Sequence, residues 1–398
     1  MQKFISDFYS ETDLKIITPN DGKHYFFAYY DMRATGKNGK HLAHRVDFFD
    51  RIPTKDDVAE LGYLDDGKFV KFAETTAWNF QQGAMLQYHP FLENTVYYNV
   101  CENGKFMTVT HNYATGEKKY ADRATACISP DGKWGLAVNF GRIFAFRAGY
   151  GYAGFVDENA GVNAPENDGV FLVDMETGKS KLLIPYTRLL EKSGYLSTDK
   201  IVVNHITFNP TSKKFNMLVR RFPTKEKFWS TALVMGDLDG NVYEVLPDGY
   251  YSHYWWTGEN TLLAYCSVDG DKTRSLHEVN VENRSYKTYD MPYLHGDGNR
   301  DVHCSTSTDG GYVIGDGYPL GNPPYQYQML RNQKTGKEFC LFQIASDPTC
   351  VGDIRCDLHT RHIWGGTHIS FDTTFQGKRQ IAIVSTDKIK EIIKQDKQ

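Results

Sequence analysis

No stretch of this chain reaches the ~18 consecutive apolar residues of a membrane-spanning helix, so membrane insertion is not expected. Basic charge is not in excess either. The 45 Lys and Arg against 49 Asp and Glu give a formal net charge of −4, which offers no electrostatic footprint for nucleic acid or an anionic membrane surface. The first residues, Met1-Gln2-Lys3-Phe4-Ile5-Ser6-Asp7, lack the basic-then-apolar order of an export signal. A cytoplasmic location is therefore expected, with the periplasm or cell exterior as the alternative if a leader has been removed. Cysteine is scarce: seven residues, an odd number without paired short spacing, which predicts buried free thiols rather than a disulfide framework. Helical periodicity is nearly missing and is confined to Tyr186–Ser193 and Asp387–Gln395. There is no Gly-x-Ser-x-Gly elbow and no P-loop. Gly149-x-Gly151-x-x-Gly154 matches the dinucleotide-binding string but neither follows a strand nor opens a helix.

What the chain has is β-forming residues and turns. It is 40% hydrophobic and 14% aromatic, enough for a large core. Short alternating runs are broken by Ser129-Pro130-Asp131-Gly132, Glu176-Thr177-Gly178, Asp237-Leu238-Asp239-Gly240, Thr308-Asp309-Gly310 and Lys334-Thr335-Gly336. Asp-Gly and Thr-Gly supply the positive φ of a tight reversal, so each marks a hairpin. His205, His253 and His303 each open a β-like segment, at intervals of 48 and 50 residues, and Asp357 and His359 open the next. Units of that length, each led by a polar residue, predict an all-β, seven-bladed β-propeller with four-stranded antiparallel blades, at about 57 residues per blade. The first blade is expected to open near Phe27–Asp31 and the second near Asn79–Leu86. One domain over residues 1–398 is expected, with a long loop insertion near 142–168.

A propeller aims the first strand of every blade at one axis, so these histidines should converge. His303, Asp357 and His359 offer two imidazoles and a carboxylate, a donor set for a divalent ion such as Mn²⁺, Zn²⁺ or Ca²⁺. Asp357 and His359 are two apart and share a face if extended. Histidines in a polar channel also serve simply to hydrogen-bond one another and water. His205 and His253 are candidate general bases, since imidazole titrates near working pH. Arg220 or Arg221 can neutralise a uronic-acid carboxylate, and strand alternation allows only one of them to face the axis. Within the insertion, glycines around Tyr150 and Tyr152 let the backbone carry a tyrosine hydroxyl over the axis as a general acid. Arg142, Tyr152, Asn204, Gln81 and Gln82 are the candidate substrate contacts. Trp229, Trp255, Trp256 and Trp364 have faces on which a pyranose can stack, or else form core between blades. Asp31 with Asp357 is the one axial carboxylate pair that a hydrolase would use.

Three motifs carry a resemblance over roughly residues 24 to 385. They are Trp78-Asn79-Phe80-Gln81-Gln82-Gly83-Ala84-Met85-Leu86-Gln87, the Ser252-His253 pair, and Asp357-Leu358-His359 followed by a hairpin and Gly377-Lys378-Arg379-Gln380. Together they resemble the oligogalacturonate-lyase-type seven-bladed propellers, which are related to ulvan lyases and rhamnosyl-glucuronate lyases. The resemblance implies a polysaccharide lyase that cleaves a uronate-containing oligosaccharide or polysaccharide by β-elimination. It implies a manganese site in which His303 is one ligand and Asp357 and His359 stand where the family has a His-x-His pair. The aspartate and the missing glutamine just before it depart from the family's three histidines and a glutamine. It matches His253 to the family's base, and the Gly149–Tyr152 loop to the source of the tyrosine used by ulvan lyases. A glycoside hydrolase on the same scaffold, or a non-catalytic propeller binding a glycan or protein, are the competing expectations.

Overall fold

In a computed structural model of the chain, which describes residues 3–268, 274–289, 291 and 301–396, seven antiparallel sheets follow one another along the sequence. Blade 1 runs His24–Phe26, His41–Val46, Ala59–Asp65 and Lys68–Thr75 from inside to outside. Blades 2 to 5 repeat that meander, opening at Gln87, Thr125, Ile201 and Tyr251, and blade 6 opens at Val302. Blade 6 gains a fifth strand, Phe4–Ile5, paired with Glu338–Ala345. Blade 7 is assembled from both ends of the chain: Arg361–Ile363, His368–Thr373 and Gln380–Ser385 are completed by Lys15–Ile16. That pairing closes the ring by tying the two ends of the chain into one blade.

The seven-bladed, four-stranded expectation is met. Its blade openings were misplaced by a few residues: Phe27–Asp31 follows the first inner strand, and 79–86 is a turn ahead of the second. The local chemistry explains both. Phe27 and Ala28 donate their amides to Asp372 of blade 7 instead of to a ladder. Asn79 gathers the amides of Gln81 and Gln82 into a tight turn.

Among the described residues there are three α-helices: α1 (Phe140–Phe146), α2 (Tyr186–Lys192) and α3 (Asp387–Gln395). The last two occupy the predicted stretches. α1 was not predicted, because its residues are mostly aromatic and β-favouring; Asn139 caps it by accepting from the Arg142 amide. α1 begins the insertion between the second and third strands of blade 3, so the Gly149–Gly154 string follows a helix. No helix is long and apolar enough to cross a membrane. All seven cysteines are free thiols, as expected.

Candidate active site

The inner strands of blades 4 to 6 run in the same direction; His253 and His303 lie near the starts of theirs, whereas His205, expected to open its strand, lies in the second half of Ile201–Phe208. Two β-bulges turn them inward. In blade 4 the register passes from Asn204↔Leu218 to Ile206↔Met217, so His205 is the unpaired extra residue, at φ 52°. In blade 5 Ser252 is skipped between Tyr251↔Cys266 and His253↔Tyr265. His359 lies just ahead of the blade 7 inner strand at φ 45°. A non-glycine residue in the left-handed region costs on the order of 1 kcal/mol, and here it recurs at residues that aim at the axis.

The four imidazoles meet. The His253 and His303 rings are 4.1 Å apart, and His303 and His359 4.3 Å apart. Tyr29 stands among them, with its ring centroid 5.0 Å from His205, 4.9 Å from His359 and 6.4 Å from both His253 and His303. All four histidines are buried.

Three of the four are held by carboxylates. His253 Nδ1 is 2.9 Å from Asp301 Oδ1, and Ser252 Oγ donates to the other oxygen of Asp301. His303 Nδ1 is 3.1 Å from Asp316, and His205 Nε2 is 3.1 Å from Asp31. A carboxylate on Nδ1 fixes the tautomer with its lone pair on Nε2. Burial and the neighbouring His303 push His253 down to about 3, against the pull of Asp301, so His253 is neutral near pH 7. Burial works to raise Asp301, but His253 and Ser252 hold it ionised below the ordinary carboxylate range. Burial also works to lower His303, yet Asp316 outweighs it and the net shift is upward. His359, whose Nε2 stands 3.9 Å from Asp357 without a hydrogen bond to it, is held well below the ordinary range by burial.

Over the N-terminal ends of these strands lie three arginines and several tyrosines. Tyr150 is a neighbour of Arg147, Arg220, Arg355 and Tyr29. The Arg147 guanidinium lies 4.5 Å from the Tyr150 ring and bonds Asp353 at 2.7 Å. Arg355 clasps Asp357 at 2.5 and 2.6 Å and lies 3.8 Å from the Tyr318 ring. Arg220 differs. It is 4% exposed, packs 4.6 Å from the Trp229 ring, and among the described residues has no carboxylate partner; its Nε is buried without an acceptor. Burying a guanidinium without a counter-charge is costly, so this position calls for an anion. Arg221, on the other face, reaches the Phe228 carbonyl.

His205, His253, His303, His359, Arg220, Tyr150 and Asp357 therefore come together. Other expected contacts are placed elsewhere. The Arg142 guanidinium is fully buried and spent on Asp157 and the carbonyls of Ile201, Asn159, Val162 and Asn163, where it ties the insertion to blade 4. Tyr152 is stacked on Phe140 at 4.2 Å and its hydroxyl accepts from Asn99, inside the core. Gln81 donates to the carbonyls of Asp353 and Arg355 and so props the Arg355 turn from behind. Gln82 and Asn204 are buried. Trp364 bonds the Gly39 carbonyl, and Trp255 and Trp256 lie at the far end of the inner strands.

Tyr29, Tyr318, Asp301 and Asp316 escaped the sequence reading. Two had a usable signal. Asp316 lies directly opposite His303 in the blade 6 hairpin, a pairing that could have been counted outward from the Asp309-Gly310 turn, and Asp301 precedes His303 by two residues. Tyr29 had none, because the Phe27–Tyr30 run reads as a core strand.

The metal expectation can be tested on the donor atoms. His303 Nε2 and His359 Nε2 are both buried without a hydrogen-bond partner, and with an Asp357 oxygen they form a group whose ligand atoms all lie within 4.8 Å of one another. Orphaned buried lone pairs are costly unless something binds them, so these residues fit a small divalent cation. Asp316 on His303 Nδ1 is the outer partner that a metal-bound imidazole usually has.

No protein-family model matches the sequence, and no curated protein does. Solved structures with the same fold are found. An oligogalacturonate lyase in complex with manganese is 14% identical, with a TM-score of 0.64 over 96% of each chain. An oligogalacturonate lyase from Vibrio parahaemolyticus is 15% identical, with a TM-score of 0.63 over 96% of each chain. The tricorn protease matches at 11% identity and a TM-score of 0.52, over 95% of this chain and 36% of its own. At these identities the likeness is one of fold.

Proposed function

We propose that this propeller is a polysaccharide lyase that cleaves a uronate-containing oligosaccharide by β-elimination on its axis. The observation that carries the reading is the unpaired, buried Arg220 together with a neutral His253 whose tautomer Asp301 fixes, both of them neighbours of Tyr29. The proton α to a carboxylate becomes acidic enough to remove only when the carboxylate charge is offset, and Arg220 supplies that offset. His253 Nε2 takes the α proton. The electron pair forms the new C=C bond as the β C–O bond breaks, and the leaving sugar oxygen takes its proton from the Tyr150 hydroxyl. Arg147, stacked on the Tyr150 ring, holds the phenol in place. His205, paired with Asp31, is a second basic position across Tyr29.

His303, His359 and one oxygen of Asp357 would hold a divalent cation such as Mn²⁺, Zn²⁺ or Ca²⁺, with Mn²⁺ and Zn²⁺ favoured by the two imidazoles. When bound, such an ion acts as a Lewis acid toward the substrate carboxylate. The oligogalacturonate lyases that share the fold, one of them a manganese complex, support both the reaction class and the metal. Hydrolysis is less well served: Asp31 is engaged by His205 and Asp357 by Arg355, which leaves neither free as a proton donor.

The test is incubation with a panel of uronate oligosaccharides, followed by ultraviolet absorbance of the unsaturated uronate. A rise in the wild type that is lost in His253→Ala supports elimination. New reducing ends without the absorbance overturn it in favour of hydrolysis, and no change with any member of the panel favours a binding role.

A further inference from the structure

Tyr30 and Tyr254 close the channel beneath the histidines. The Tyr30 hydroxyl donates to the Tyr254 carbonyl, and the Tyr254 hydroxyl donates to the carbonyls of His205 and Asn216. Below them, at the C-terminal ends of the inner strands and thus on the opposite face of the ring, is a separate cavity of about 300 Å³. It is lined by residues of blades 1 to 5, among them Asp31, Arg33, Gln87, Tyr254, Trp255 and Trp256.

Four features of this cavity specify a ligand. Trp256 is half-buried and turns toward blade 4, where its indole nitrogen donates to Thr207 on the cavity wall and its ring borders the cavity; Trp255, the preceding residue, turns to the other face of blade 5 and donates to Thr306. Arg33 donates Nε to the Tyr88 carbonyl, yet its Nη2 is buried without an acceptor, and among the described residues it has no ion-pair partner. Gln87 is buried, and its amide offers both a donor and an acceptor. Asp31 presents a carboxylate of which one oxygen is engaged by His205. An aromatic floor with a few converging polar groups is the make-up of a carbohydrate site, and the volume suits a single ring rather than a chain. The uncompensated guanidinium asks for a carboxylate.

We infer that this second cavity binds one pyranose ring carrying a carboxylate, a free uronic acid, with the ring on Trp256, the carboxylate on Arg33, and hydroxyls on Asp31 and Gln87. The inference stands on the lower cavity alone and does not require the elimination reaction above it.

Indole N–H signals of the full-length protein, assigned by substitution, distinguish the two ends of the channel, because Trp229 marks the upper chamber and Trp256 the lower cavity. Titration with glucuronate and galacturonate, with glucose as the neutral control, should move the Trp256 signal saturably. The shifts should persist in His253→Ala and weaken at least ~10-fold in Arg33→Met, with partial recovery in Arg33→Lys, since losing one charge-assisted hydrogen-bond partner typically costs that much. Movement of Trp229 alone, equal response to glucose, unchanged affinity in Arg33→Met, or no movement with either uronate would each overturn the assignment.

Discussion

Two sets of buried histidines occupy this ring, and they behave differently. His41 and His44 lie in blade 1, where burial pushes both down to about 3. His41 is bonded through one nitrogen to the Leu42 carbonyl and through the other to Ser370; His44 stacks on Phe26 at 4.7 Å and accepts from the Ala84 amide. Neither has a carboxylate partner. His205, His253, His303 and His359 are equally buried, but three of them bind aspartates. Burial therefore does not mark the reactive set. A carboxylate partner does, because it orients the ring and decides which nitrogen carries the proton.

That contrast can be broken by substitution. His253→Ala should cut kcat of the folded protein by about 10²–10⁴-fold, the usual yield of a general base, and should also lower Tm because Asp301 loses its partner. His41→Ala should lower Tm through lost packing and two lost hydrogen bonds but leave kcat of the folded protein intact. Equal loss of kcat in both variants would erase the distinction. Next in size, Arg220→Met should lower kcat/KM by roughly 10²–10³-fold on a carboxylated substrate, as removal of one charge-stabilising donor typically does. The same variant should act on stability in the opposite sense, because it removes an uncompensated buried charge. Asp301→Asn should cost about 10–100-fold in activity through a mis-set His253 tautomer, and Asp301→Glu should recover part of it.

A further effect concerns pH and stability. Folded His41 and His44 titrate near 3 and unfolded histidine near 6.5, so below about pH 6.5 the unfolded chain binds protons that the native chain refuses. Stability should fall as pH drops from about 6.5 toward 3, with about two protons taken up on unfolding from this pair. Denaturant titrations of wild type and His41→Gln at several pH values read the difference; an identical pH slope in the two proteins would contradict it.

The ring was legible in the sequence because propeller blades repeat a polar residue on the inner strand at near-constant spacing, and His205, His253 and His303 keep that spacing, although His205 lies inside its strand and not at its start. The residues that complete the site were less legible for physical reasons. Asp316 faces His303 across a hairpin, a relation carried by register rather than by adjacency. Tyr29 sits in the Phe27–Tyr30 run, which looks like core and becomes axial only because Ala28, at φ 104°, leaves the strand to meet Asp372. Arg142 was expected at the substrate because it opens a glycine-rich insertion. The same loop needed an anchor for its own carbonyls, and a five-donor guanidinium meets that need.

The most direct test of the central claim is to run the reaction in heavy-oxygen water and weigh the products. Elimination breaks the C–O bond without water, so the new ends should carry no label and one product should absorb as an unsaturated uronate. Heavy oxygen at the new reducing end would contradict the account and assign the axial histidines to a hydrolase.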